Sequence, residues 1–266
     1  MNNDIMTIQS QRRLAEGTYE MILQLPHAGA LTAAQSPAQK QPVLPGQFLN
    51  IRLEGFYLRR PISICDWTED TLTIIYKTVG RGTTMMSRMQ QGEKLDVLWP
   101  LGNGYDLNSF GEVGSVSQSA ACPLLIGGGA GVPPMYGLCR KLVETGVQPK
   151  VILGFRSAAD VFYRNEFEAF GAEVILTTED GSAGIKGFVT DAMDGIRYDS
   201  LFACGPEAML RAVDEKAPAE VPGQMSFERR MGCGFGACMG CSCRTKYGSK
   251  RICVEGPVLE RSEIVW

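Results

Sequence analysis

Histidine is almost missing: His27 is the one copy in 266 residues. Histidine is the commonest general acid and base near neutral pH, so its scarcity argues against hydrolytic or acid–base chemistry in this chain. It suits a protein that moves electrons and leaves protons to a cofactor or a partner. Excess positive charge is missing too. With 26 Lys and Arg against 29 Asp and Glu the net charge is −3, which gives no hint of nucleic acid. No apolar run reaches the roughly 18–20 residues of a membrane helix. Met1–Asp4 has no basic stretch leading into an apolar one, so no signal peptide is expected. These absences, with the cysteine chemistry described next, make the cytoplasm the expected compartment.

Cysteine is not scarce, and it is clustered. Five of the nine copies fall between Met231 and Cys253. Cys233, Cys238 and Cys241 have the spacing C-x4-C-x2-C, and Cys253 follows. That is the ligand order of a plant-type [2Fe–2S] site, with a shorter gap before the last ligand. Four thiolates must converge on two irons, so the loop between the first two has to wrap the cluster. Gly232, Gly234, Gly236 and Gly240 let the backbone turn and aim N–H groups at sulfur. Zinc and disulfides compete for the same residues. Zinc ribbons usually carry two C-x2-C knuckles, and here there is one. Disulfides sit poorly with an odd cysteine count and no secretion signal. Cys243 is a spare that shares a face with Cys241 in an extended segment. Cys253 is the better fourth ligand, because it closes the site from the opposite side.

Residues 1–105 read as short strands with turns between them, the pattern of a small antiparallel barrel. The runs are Met6–Arg13, Thr18–Leu25, Gln47–Leu53, Ile62–Trp67, Thr71–Thr78 and Lys94–Leu98, with a loop over 27–44 and a helix over Thr84–Gln90. Arg60-Pro-Ile-Ser63 opens one strand. An Arg there can fork onto a pyrophosphate, although taken alone it reads as a surface Arg before a strand-initiating Pro. Gly80-Arg-Gly-Thr-Thr84 offers N–H groups at a helix start, or simply a glycine turn. Residues 106–120 are polar and Gly/Ser-rich and read as a linker.

From 121 to 221 the pattern becomes β-α, which argues for a parallel sheet with covered faces. Strands are expected at Pro123–Ile126, Lys150–Phe155, Glu173–Thr177 and Ser200–Cys204. Helices are expected from the proline pair to about Thr145, at Asn165–Phe170, at Lys186–Met193 and at Pro206–Lys216. Gly127-Gly-Gly-Ala-Gly131 follows the first strand, so Gly128, Gly129 and Gly131 can bring backbone close to a pyrophosphate. Arg156 fits a 2′-phosphate or a solvated surface position equally well. Residues 222–266 form a small cluster domain, in which the segment 226–266 is too short for an independent core and is expected to depend on its metal.

The order PGQF, RPIS, GxGT, PLGNGY, GGGAG, CGP resembles the ferredoxin–NADP reductase superfamily. The resemblance implies an FAD-binding barrel before a nicotinamide-binding α/β domain, hence an α+β and α/β multidomain chain. It implies FAD contacts from Arg60, Pro61, Ile62, Ser63, Ile75, Tyr76, Lys77, Gly82 and Thr83. Cys204 would border the nicotinamide, or serve as a small apolar strand residue. Over nearly the whole chain the closer likeness is to electron-transfer subunits of class 1B dihydroorotate dehydrogenases. It is carried by Arg60–Ser63, Thr178–Gly181, Lys186-Gly187, the segment Glu228–Cys241 and Cys253–Pro257. This resemblance implies an FMN-containing partner subunit that oxidises dihydroorotate in pyrimidine synthesis, in a two-plus-two heterotetramer, with NAD as the acceptor. Other flavin/Fe–S subunits, of the ferredoxin–NADP transhydrogenase or sulfide dehydrogenase type, are similar. A zinc-holding adaptor without enzymatic activity is the reading from another class.

Overall fold

In a computed structural model the chain is described over residues 1–26, 43–107 and 121–266. The expected 27–44 loop and 106–120 linker lie mostly outside these residues, as does His27. The first six strands are β1 (Asn2–Ala15), β2 (Thr18–Gln24), β3 (Phe48–Arg52), β4 (Arg60–Trp67), β5 (Thr71–Lys77) and β6 (Lys94–Leu101). They close into an antiparallel barrel in the order β1-β2-β5-β4-β3-β6. Alternating residues such as Met6, Ile8, Met21, Leu23, Leu49 and Ile51 fill its interior and are fully buried. Helix α1 (Arg81–Met86) follows β5, three residues upstream of the expected start. Thr83 explains the shift: its Oγ1 accepts N–H bonds from Val79 and Gly80 at 3.0 and 3.3 Å, so the turn is already tied at Gly80.

The second half is built on β7 (Pro123–Gly128), β8 (Lys150–Phe155), β9 (Glu173–Thr178), β10 (Ile185–Lys186), β11 (Ser200–Cys204), β12 (Gly223–Ser226) and β15 (Val258–Glu260). Their order is β10-β9-β8-β7-β11-β12-β15, parallel except for the last strand. Helices α2 (Val132–Glu144), α3 (Arg164–Glu168) and α4 (Glu207–Lys216) connect them. A separate hairpin of β13 (Ser242–Thr245) and β14 (Gly248–Arg251) carries the end of the cysteine segment. The helix expected over Lys186–Met193 does not form. Gly187 has φ 126°, outside helical space, and Asp191 Oδ2 accepts the Phe188 N–H at 2.8 Å. The segment is instead a short edge strand and a single 3-10 turn at Asp191–Met193.

Chain order runs β7, β8, β9 to one side and then returns with β11 on the other side of β7. The reversal between β7 and β11 is a topological switch point, where open α/β sheets bind ligands at the strands' carboxyl ends. The two halves are locked together at α2. Arg140 pairs with Asp66 at 2.7 Å and lies 4.8 Å from the Trp67 ring centre. Gly137 lets the helix approach the Cys65 carbonyl closely, since a Cβ there would come within 2.8 Å of that oxygen. The C-terminal segment is not a free-standing lobe. β12 and β15 extend the large sheet, and Cys241, Ile252, Cys253 and Leu259 share one core with Leu124, Ile126 and Leu201.

Candidate functional site

Three sites lie along the fold. The first is on the barrel. The β3–β4 register sets Asn50 opposite Pro61 and Phe48 opposite Ser63, so Arg60, Pro61, Ile62 and Ser63 run along one strand beside α1. The Arg60 guanidinium rests on Gly82, where any Cβ would overlap its Nε. Arg60 and Arg81 both lie over the Phe56 ring, at 4.7 and 5.8 Å. Two guanidinium groups therefore gather at the start of α1, whose first N–H groups have no intrahelical acceptor. That donor set fits a pyrophosphate. Thr83 contributes its backbone, because its hydroxyl also donates to the Gly80 carbonyl at 3.1 Å.

On β5 the residues divide. Ile75 faces the core of the second half, while Tyr76 faces the barrel interior. Tyr76 donates its hydroxyl to Gln11 Oε1 at 2.7 Å, so its side chain is committed to the barrel. Lys77 reaches across to Asp160 at 3.5 Å and lines the next site.

That site is a cleft of about 550 Å³ at the carboxyl edge of the sheet, lined by Gly128, Gly129, Arg156, Thr177, Glu179 and Pro206, among others. Gly131 is required here: a Cβ would overlap the Cys204 carbonyl, so only glycine lets the turn press against the end of β11. Glycine turn and switch point thus coincide. Cys204 is 3% exposed. Burial, with Glu228 adding to it, pushes its thiol up to about 12, so it stays neutral. The cleft also takes in Phe188, Val189 and Met209, which the sequence did not single out. The apolar run Phe188–Val189 followed by Ala192–Met193 imitated a helix face.

The third site is the cysteine loop. Its sulfurs fall into two pairs. Cys233 N–H donates to Cys238 Sγ and Cys238 N–H to Cys233 Sγ, both at 3.4 Å, and Gly240 N–H adds a bond to Cys238 Sγ at 3.5 Å. Cys253 N–H donates to Cys241 Sγ at 3.4 Å. The first pair lies at the surface and the second is buried. At Cys233 burial raises the pKa, but backbone N–H groups of Phe235, Cys238 and Ala237 outweigh it and bring the thiol to about 6. Backbone donors aimed at sulfur favour thiolate. Two cysteine pairs with N–H donors suit a two-iron cluster, one pair to each iron. Cys243 sits in the hairpin opposite Lys250, half-buried.

A family model described as the iron–sulfur cluster binding domain of dihydroorotate dehydrogenase B matches residues 228–265. One described as an oxidoreductase NAD-binding domain matches 125–215. The dihydroorotate dehydrogenase B (NAD(+)) electron transfer subunit of Geobacillus thermodenitrificans (strain NG80-2) is 41% identical, over 98% of this chain and 97% of its own. That of Bacillus caldolyticus is 42% identical over the same shares. The chain belongs to the family of dihydroorotate dehydrogenase B electron transfer subunits. Its fold also matches the structure of an NADH-dependent reduced ferredoxin–NADP oxidoreductase. That match has TM-score 0.81 and 29% identity, covering 100% of this chain and 91% of the other. Phthalate dioxygenase reductase shares the fold at TM-score 0.63 and 16% identity, over 92% and 87% of the two chains. Membership makes the chain an electron-transfer oxidoreductase subunit that works with a catalytic partner, with NAD as the dinucleotide. No helix among the described residues is long and apolar enough to cross a membrane.

Proposed function

We propose that the chain carries electrons from the FMN of a dihydroorotate-oxidising partner to NAD+, through a [2Fe–2S] cluster and FAD, in the cytoplasm. The observation that carries this reading is the continuity of the three sites. Asn50, on the strand beside the Arg60–Ser63 motif, hydrogen-bonds the cysteine loop at Cys233, and Lys77 links the barrel motif to the dinucleotide cleft. A flavin exchanges electrons singly with a cluster and in pairs with a nicotinamide, which is why it belongs between them.

The chain's own residues bind and orient. Arg60, Gly82 and Thr83 would hold the FAD pyrophosphate by guanidinium and backbone N–H groups. Pro61, Ile62 and Ser63, with the Ile75–Lys77 backbone, would border the ring. Gly128, Gly129 and Gly131 would admit the NAD pyrophosphate, and Cys204, as a neutral thiol, would border the nicotinamide without attacking it. Cys233 and Cys238 would hold the outer iron, and Cys241 and Cys253 the inner one. In this scheme residues 1–105 form the flavin unit, 106–120 the linker, 121–221 the NAD unit and 222–266 the cluster segment. The assembly is two catalytic and two electron-transfer subunits.

The test is an anaerobic visible spectrum of the complex purified with its catalytic subunit. Dihydroorotate should bleach flavin and cluster bands together, and NAD+ should restore them. Bleaching by NADH but not by dihydroorotate would remove the partner from this reading. It would favour the transhydrogenase-type alternative.

A further inference from the structure

Each of the two cysteine pairs is gripped through its neighbouring backbone by an asparagine of the barrel. Asn50 on β3 takes the exposed pair: its Nδ2 donates to the Cys233 carbonyl at 3.3 Å. Asn103, in the loop after β6, takes the segment that follows Cys253. Its Nδ2 donates to the Val258 and Glu255 carbonyls at 2.7 and 3.4 Å. Its Oδ1 accepts the Val258 N–H at 3.0 Å, and its own N–H donates to the Gly256 carbonyl at 2.5 Å. Gly102, with φ 72°, allows this approach, since a Cβ there would come within 2.7 Å of the Gly256 oxygen. None of the three sites described above uses Asn103.

Both grips start beside the strand that carries the Arg60–Ser63 motif. β3 lies between β4 and β6, with Asn50 opposite Pro61 on one side and Leu98 on the other. Neighbouring strands are about 4.8 Å apart, so a single side chain leads from beside Pro61 to the cysteine loop. Phe48, two residues earlier and on the same face of β3, packs into the core that holds Cys241 and Cys253. Gln47 Nε2 donates to the Gly102 carbonyl at 2.9 Å and ties the Asn103 loop back to the start of β3. Packing alone does not account for Asn50. It is 1% exposed, and its Oδ1 is buried with no hydrogen-bond partner among the described residues. A buried acceptor left unpaired costs stability that an apolar side chain of similar shape would not. The contact with the cysteine loop is what sets Asn50 apart from such a side chain.

We propose that Asn50 and Asn103 are positioning residues for electron transfer between cluster and flavin, fixing the two cysteine pairs against the barrel strands that border the flavin. This rests on the cluster-to-flavin path proposed above. In that step one electron leaves a ferrous iron, which becomes ferric, and enters the flavin. Two such transfers and one proton from solvent give the reduced flavin whose hydride NAD+ takes. Neither asparagine gains or loses an electron or a proton. Transfer between fixed centres falls steeply with distance, so a loosened grip slows it without changing its driving force. The test is one-electron pulse reduction of the full chain loaded with FAD and cluster, following the relaxation between flavin and cluster bands in wild type, Asn50→Leu and Asn103→Ala. Iron and FAD content, both midpoint potentials and the thermal midpoint are measured alongside. Asn50→Leu should slow the relaxation by about 10–100-fold, the range for changes just outside a metal's ligands. Cofactor content and potentials should be unchanged, and the thermal midpoint should not fall. Asn103→Ala should slow the relaxation in the same range. Bleaching of the flavin by NADH should keep its wild-type rate in both. An unchanged relaxation rate in Asn50→Leu overturns the proposal. So does a slowed rate matched by a shifted potential, which would make Asn50 a tuner of the cluster's electronics. Absence of any relaxation in wild type overturns the path itself.

Discussion

Asn50 and Cys233 are 183 residues apart in sequence, and the Asn50 carboxamide donates to the Cys233 carbonyl at 3.3 Å. The contact pins the cysteine loop to the barrel. Asn50 is 1% exposed, and Gly234, with φ 77°, leaves the space its amide occupies. A Cβ on Gly234 would overlap Asn50 Nδ2. Gly234→Ala therefore combines left-handed strain, about 1–2 kcal/mol, with a direct clash. It should release iron and lose the cluster's visible absorbance several-fold faster in air than wild type. Flavin content should be unchanged, which separates a local loop effect from misfolding.

Cys238→Ser removes one partner of the exposed cysteine pair. Hydroxyl is a poor iron ligand, so iron analysis should find the cluster gone and the flavin bands kept. Dihydroorotate-driven NAD+ reduction by the complex should fall by at least about 100-fold, since even outer-shell changes at metal sites reach that size. Direct oxidation of NADH by ferricyanide should persist through the flavin. Full dihydroorotate activity in this variant would end the cluster's place in the path.

These two predictions rest on features of unequal legibility. The cysteine spacing could be read directly, because four ligands to one cluster impose a pattern on sequence. Gly131 could be read only as a glycine that lets backbone approach a pyrophosphate; its contact with the end of β11, where a Cβ would overlap the Cys204 carbonyl, shows only in the structure. The merging of β12 and β15 into the large sheet could not be read. Gly223–Ser226 and Val258–Glu260 are too short for periodicity to register, and their pairing is set by tertiary contacts. Asp180 lies in the stretch Thr178–Gly181, but its commitment to Ser182 shows only in the hydrogen bonds of the folded turn. Phe188 was hidden by a helix-like pattern that Gly187 interrupts.

Glu20 joins the two halves and makes their contact sensitive to acid. It is buried on β2, bonded by Arg12 Nε at 2.6 Å and by the Tyr163 hydroxyl at 2.5 Å. Burial alone would raise its pKa, but those two bonds outweigh it and hold it below the ordinary 4.5. A lowered carboxylate contributes stability that is complete above its unfolded pKa, about 4.3. That stability is lost as pH falls through the folded value. Glu20→Gln should therefore flatten the fall in thermal midpoint below about pH 4.5. Tyr163→Phe should cost about 1–3 kcal/mol at neutral pH by leaving a buried acceptor short of a donor, measured by urea unfolding.

Gly131→Ala tests the switch point. The added methyl would overlap the Cys204 carbonyl, so either the turn or the end of β11 must move. Overpacking of this kind costs roughly 1–3 kcal/mol. Bleaching of the flavin by NADH should slow much more than bleaching by dithionite, because the damage lies at the dinucleotide and not at the flavin. Equal slowing with both reductants would mean the change had spread into the barrel.

Iron removal separates what the metal holds from what the sheet holds. The sequence alone suggests that residues 226–266 depend on their metal. The structure divides the segment. Met225 and Leu259 are 0% and 2% exposed within the core of the large sheet, where β12 pairs with β11 and β15 pairs with β12. Met231 packs partly buried against that core, but from Gly232 to Gly240 the loop joins no strand. It is held by N–H bonds to sulfur, by Arg251 Nη1 donating to the Gly236 carbonyl at 3.0 Å, and by Asn50. Chelation should therefore raise amide hydrogen exchange in Met231–Gly240 by orders of magnitude, as expected of a weakly packed unit. Gly223–Ser226 and Val258–Glu260 should stay protected to within about tenfold. Loss of protection in all three stretches would mean that the cluster, and not the shared core, anchors the C-terminal strands.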